Sequence, residues 1–182
     1  MAATAETVIQ TALSYVGVKE DPDGSNITPF TLEYFDGKLP ANPAASAPWC
    51  VIFGWYCFKH SNASDIFYDG KKVGSCSYVL RWATNNKLTV NKDQAKRGDI
   101  LLFDWNKDQA PDHFGFALDK PANGKISTVE GNTNNQVATC TRNMSDVGFV
   151  IRPKYLEAPS PSNTVTWDDL KHLLQTLLDS IS

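Results

Sequence analysis

From Thr4 to Val16 the apolar positions are Val8, Ile9, Ala12, Leu13 and Val16. Steps of three and four are the period of a helix with one buried face. Gly17 follows as a natural stop. A second apolar run, "PWCVIFGWYC", extends from Pro48 to Cys57. Proline is tolerated at a first helical position, and Ser46 just upstream is a capping residue. The spacing therefore predicts a helix with Cys50 in its first turn. "SCSYVLRWATNN" (75–86) predicts a third helix, capped by Ser75 and closed by Asn85 and Asn86. Residues 21–48 hold five prolines and an aromatic patch, Tyr34 and Phe35, and read as a long irregular segment. Long structured loops of this kind tend to form functional walls.

The period then changes. "RGDILLFDW" (97–105) is a turn followed by an apolar strand, and "DHFGFALD" (112–119) alternates. Phe114, Phe116 and Leu118 point to one side of that strand, and His113, Gly115 and Ala117 to the other. "KISTVEGN" (125–132), "QVATCTRN" and "VGFVIRP" read as three more strands. Helices first and strands afterwards predict an α+β fold, with the N-terminal helices packed on an antiparallel β-sheet.

After Tyr155 the pattern breaks into "EAPSPSNT", a proline- and serine-rich linker. "WDDLKHLLQTLLDSIS" follows, with Thr166 and Asp169 as a cap pair. Leu170, Leu173, Leu174, Leu177, Leu178 and Ile181 would form one apolar stripe of a C-terminal amphipathic helix. The expected organisation is a domain over 1–155, a linker over 156–165 and the helix over 166–182. The helix is expected to serve packing or self-association, or to begin a binding module.

Composition narrows the functional classes. The net charge of −3 comes without any basic run or stripe, which argues against a nucleic-acid partner and against attraction to anionic membranes. No stretch of the chain has the apolar length of a membrane span. The N-terminus lacks the positive region of a secretory signal, so the expectation is a chain made in a cytoplasm and released by other means. Cys50, Cys57, Cys76 and Cys140 are scattered, with no CxxC, so neither a zinc site nor a disulfide framework is expected.

Two of these cysteines sit differently. Cys50, in a first helical turn, lies near free N–H groups and the positive end of the helix dipole, which favours a thiolate. It should be partly exposed. Cys57, two turns on, has no such help and reads as a small core residue. A nucleophilic thiol needs a base. His60 ends the Cys50 helix, where it complements the dipole, and His172 lies in the terminal helix. His113 opens a strand beside the small residues Gly115 and Ala117. If the Cys50 helix packs on that strand face, thiol and imidazole meet. Imidazole needs an orienting partner on its second nitrogen. Glu130 and Asn132 end the next strand and share a face by period two. A core histidine and a solvated acid are the ordinary readings of each residue alone. Together with Cys50 they form a candidate catalytic set: Cys50, His113, Glu130 and Asn132.

"APWCVIFGWYC", "RGDILLFDW", "DHFGFALD" and "TVEGNTNN" occur in that order. The set resembles the CHAP family, the cysteine, histidine-dependent amidohydrolases/peptidases of bacteriophage endolysins and bacterial autolysins, over residues 5–155. The resemblance implies a papain-like fold and cleavage of an amide bond in peptidoglycan by an amidase or endopeptidase. It makes Cys50 the nucleophile, His113 the base, Glu130 the orienting acid and Asn132 a fourth polar residue. The Cys50 N–H would be one oxyanion donor. Family members often carry Gln before the cysteine where this chain has Trp49, which leaves Tyr34, Asn42 or Ser46 for the second donor. Trp49, Tyr34 and Phe114 are expected to bind substrate. Some relatives bind calcium in acidic loops near the nucleophile. "DPDGSN", with Asp21 and Asp23, lies too far upstream to match and reads as a surface turn. No cofactor and no metal are therefore expected. The implied function is that of an endolysin. An autolysin, a toxin or a tail-associated lysin would share the chemistry. A catalytically dead wall-binding module and a papain-like acyl-transfer enzyme are the alternatives of other kinds.

Overall fold

The computed structural model describes residues 3–157 and 167–179. It is an α+β structure with one six-stranded antiparallel sheet. The first helix, α1 (Ala5–Ser14), starts at Thr4, whose side chain accepts from the Thr7 N–H in a reciprocal capping box. The proline-rich segment is less irregular than its composition suggests. It contains α2 (Pro29–Tyr34), which Thr28 caps, and the single turn α3 (Pro43–Ser46). Each carries a proline in its first turn, where no N–H is needed.

The Cys50 helix, α4, spans Cys50–His60 and begins two residues later than Pro48 suggests. Ser46 does not cap it. Its hydroxyl donates to the Asn42 carbonyl within α3, and Trp49 stands at the N-cap without a side-chain bond. All residues from Cys50 to Phe58 are buried. A helix apolar on every side belongs in the middle of a core, and α4 packs against α1, α2 and the sheet. Helix α5 (Cys76–Asn85) follows, with Ser75 at the N-cap position but no side-chain cap bond.

The strands are β1 (Thr89–Val90), β2 (Ile100–Phe103), β3 (His113–Ala117), β4 (Lys125–Thr133), β5 (Gln136–Asn143) and β6 (Val147–Ile151), in the spatial order β1-β6-β2-β3-β4-β5. Two-residue β1 carries too short a pattern to be read from sequence. Every residue of β2 and β3 is buried, because both faces of the sheet are covered. Ile100, Leu102, Phe114 and Phe116 join the core under the helices. Leu101, Phe103, Ala117, Ile126, Val147 and Val150 form a second apolar cluster on the other face.

α4 seats on the Phe114 side of β3. A Cβ at Gly54 would stand 2.5 Å from Phe114 Cζ, so only glycine allows this approach. His113, Gly115 and Ala117 do share a face, as the alternation predicts, but it is the face away from α4.

Beyond the linker, α6 covers Trp167–Asp179, with Leu170, Leu174 and Leu178 exposed. The Thr166 cap, Ile181 and the side chains of Leu173 and Leu177 lie outside the described residues, as does most of the 156–165 linker. No helix among the described residues is long and apolar enough to cross a membrane.

Candidate active site

Cys50 is the first residue of α4 and His113 the first of β3. The two meet because both stand at the ends of their elements, so a side chain from the far face of β3 reaches the helix N-terminus. Each is 7% exposed, which makes Cys50 more buried than its place in a first turn suggests. Being at N1, the Cys50 N–H has no intrahelical carbonyl to bond.

The thiol is strongly polarised. Cys76, first residue of α5, lies with its Sγ 3.9 Å from Cys50 Sγ. Its S–H bond to Cys50 is the largest influence holding the Cys50 thiol well below its ordinary value. Burial opposes this, and hydrogen bonds from His113 and the Val51 N–H add to it. Cys76 shifts the other way, pushed well up by the same bond and by burial, so it stays a neutral donor. Cys57 is fully buried, and burial raises its thiol well above the ordinary range, as befits a core residue.

Burial alone would depress His113. Hydrogen bonds to the Cys50 thiolate and to Glu130 outweigh it and raise the imidazole to about 9. Both directions favour the charged pair, thiolate and imidazolium. His113 Nε2 lies 3.0 Å from Glu130 Oε2, leaving Nδ1 as the nitrogen for the thiol.

Glu130 is completely buried and held from several sides. Thr128 Oγ1 donates to Oε1 at 2.5 Å, Thr133 Oγ1 to Oε2 at 2.9 Å, and Arg142 to both oxygens, Nε to Oε1 at 2.9 Å and Nη2 to Oε2 at 2.5 Å. Burial would raise this carboxyl. The Arg142, His113 and Thr128 hydrogen bonds outweigh it and hold it at about 2. Gly115 makes room, since a Cβ there would lie 2.7 Å from Glu130 Cγ.

Asn132 is not part of this set. The register of β4 and β5 shifts between Glu130 and Thr133, and Asn132 takes a left-handed φ of 57°. A bulge breaks the period of two, so the Glu130 face passes to Thr133, whose Oγ1 is 3.3 Å from His113 Nε2. Asn132 instead turns its amide toward Asn26 Oδ1, 3.5 Å away.

Trp49 and Phe114 are fully buried and do not face a substrate. The Trp49 indole donates to Glu20 Oε1 at 2.8 Å, anchoring the α4 entrance to a buried carboxylate. Phe114 lies among Gly54, Phe67 and Phe116. Tyr34 is half-buried beside Trp55 and Phe35, with its hydroxyl near Gly74 in the approach to Cys76. Ser46, engaged within α3, is not free to serve an oxyanion.

The exposed aromatic surface at the site is Trp105. It is 46% exposed, stacks on His113 with ring centres 5.4 Å apart, and lies under the Arg142 guanidinium at 5.8 Å. Trp105, Cys76, Thr128, Thr133 and Arg142 escaped the sequence reading. Cys76 alone offered a signal, since like Cys50 it opens a helix. Arg142 shares its face of the sheet with Ala138 and Cys140, register partners of Glu130 and Thr128. Its side chain reaches Glu130 along that face, a diagonal that no linear spacing announces.

Compared with known proteins, the chain matches no protein-family model and no curated protein.

Proposed function

We propose that the protein is a cysteine-dependent peptidoglycan hydrolase of the endolysin kind, with a papain-like catalytic arrangement, acting on an amide bond of the wall. One observation carries the chemistry: a helix-start thiolate, a raised imidazole and a buried carboxylate connected in series. Support for the substrate comes from the resemblance of the Cys50, His113 and Glu130 segments to the CHAP family.

The Cys50 sulfur attacks the carbonyl carbon, and the oxyanion is met by the Cys50 N–H. The C–N bond breaks as imidazolium gives its proton to the departing amine, leaving a thioester. His113 then takes a proton from water, whose oxygen attacks the thioester. The acid product leaves and the thiolate returns. Glu130 holds the ring in orientation throughout, and Trp105 walls the open side.

The test is digestion of purified Gram-positive walls, with released fragments identified by mass spectrometry. New amine and carboxyl ends from the native protein, and none from Cys50→Ala, are expected. Intact walls after treatment with folded native protein, or equal release by Cys50→Ala, would refute the reading.

A further inference from the structure

Asp104 is the residue that the hydrolytic reading leaves unexplained. It directly follows β2, is 6% exposed, and carries the one buried side-chain oxygen or nitrogen among the described residues with no hydrogen-bond partner, Oδ1. A buried polar oxygen without a partner is costly. Its twin, Oδ2, accepts from the Gln109 N–H at 3.1 Å across the β2–β3 loop, so the carboxylate is turned into that loop. Lys107, the nearby cation, does not relieve Oδ1. Its Nζ donates to the Asp104 and Ser145 carbonyls and lies 3.7 Å from Asp146 Oδ1.

The loop reads "DWNKDQAPD" from Asp104 to Asp112. Oxygen side chains stand at its first, third and fifth positions: Asp104, Asn106 and Asp108. The sixth, Gln109, has a φ of 68°, where EF-hand loops place glycine for a sharp turn. Those loops draw a further ligand from the carbonyl of the seventh position, here Ala110, and often a water held by the ninth, here Asp112. No three of His, Cys, Asp and Glu among the described residues are grouped so that they alone could hold a metal ion. The present set is instead mixed: two carboxylates, an amide oxygen and a carbonyl.

We propose that the β2–β3 loop binds a calcium ion through Asp104 Oδ1, Asn106, Asp108 and the Ala110 carbonyl, with Asp112 acting through water. The donor set is all oxygen, which selects a hard cation over zinc or copper. A flexible loop completed by water suits calcium better than magnesium, which demands near-ideal octahedral geometry. The ion supplies the partner that Oδ1 lacks. It also stiffens the segment between Trp105 and His113, where the Trp105 N–H already donates to Asp112 Oδ2 at 2.8 Å. The proposed site departs from the sequence-based expectation of no metal, and lies in a loop other than the one around Asp21.

The experiment measures binding without substrate, so its outcome is independent of the peptidoglycan reading. The chelator-treated full chain is titrated with calcium by calorimetry and with terbium by luminescence excited through tryptophan. Single-site saturation at up to about millimolar calcium, terbium emission displaced by calcium, and a melting temperature that rises with calcium are expected. Asp104→Asn keeps the bond from Gln109 and the shape, and should bind at least about tenfold more weakly. Asp108→Asn should do the same. Trp105→Phe should lose most terbium emission yet keep the calcium-induced rise in melting temperature. Absence of saturable calcium binding by folded native protein, or native affinity in folded Asp104→Asn, would overturn the proposal.

Discussion

Arg142 grips both oxygens of Glu130, Nε on Oε1 at 2.9 Å and Nη2 on Oε2 at 2.5 Å. A bidentate fork fixes the carboxylate plane as well as its charge. The acid that orients His113 is thus itself oriented, from the neighbouring strand. The pairing also has an electrostatic side: a fixed cation near the imidazole restrains how far Glu130 can raise it.

Arg142→Met therefore has two separable effects. Loss of the fork loosens Glu130, so turnover should fall and stability should drop by about 3 kcal/mol, the cost of leaving a buried charge without its partner. Loss of the cation should move the basic limb of the pH–rate profile upward, because imidazolium is then easier to keep. Steady-state rates against pH, together with urea unfolding, measure both. A basic limb that moves down would show that Arg142 does not act on His113 through charge.

Glu130→Gln should move that limb the other way. The native imidazole is raised to about 9, so activity should hold from the depressed Cys50 value up to about pH 9 and then fall. Removing the carboxylate charge removes a stabiliser of imidazolium and leaves Arg142 uncompensated beside it. The basic limb should drop by about one unit or more, and turnover by about a hundredfold or more. A limb that stays near 9 would mean that the Cys50 thiolate alone sets it.

Cys76→Ala removes the sulfur partner of Cys50 Sγ. The Cys50 thiol should then titrate higher, and the pH at which iodoacetamide alkylates it half-maximally should rise. In the native chain Cys50 should react well ahead of Cys57, which is fully buried and has its thiol raised. Peptide mapping after timed alkylation reads both. An unchanged Cys50 profile in Cys76→Ala would assign the thiolate to His113 and the helix start alone.

The chain after Glu157 should be dispensable for chemistry, since every residue of the site lies before it. Truncation there should leave hydrolysis of soluble wall fragments unchanged. Leu170, Leu174 and Leu178 are 40%, 59% and 57% exposed. Sedimentation should show the full chain self-associating and the truncated chain monomeric. A truncated chain that keeps the full chain's association state would remove the leucine stripe from the account.

The sequence by itself determined the longer helices and strands and which polar side chains stand at their ends. Periodicity placed the N-terminal helices ahead of an antiparallel sheet, put Cys50 at a helix start and His113 at a strand start, and separated Cys57 as a core residue. These are local properties, set by the spacing of apolar side chains and by backbone groups left free at an element's end. What linear spacing could not carry was decided in three dimensions. A bulge after Glu130 exchanged Asn132 for Thr133, because one extra residue in a strand turns every later side chain to the other face. The packing of α4 on the Phe114 face buried Trp49 and Phe114 and left Trp105 as the exposed wall. Cys76 and Arg142 reach the site from elements far along the chain, and only the register of β4 with β5 and the docking of α5 bring them there. Alternation states which residues share a face, but it does not say which face the rest of the chain will cover.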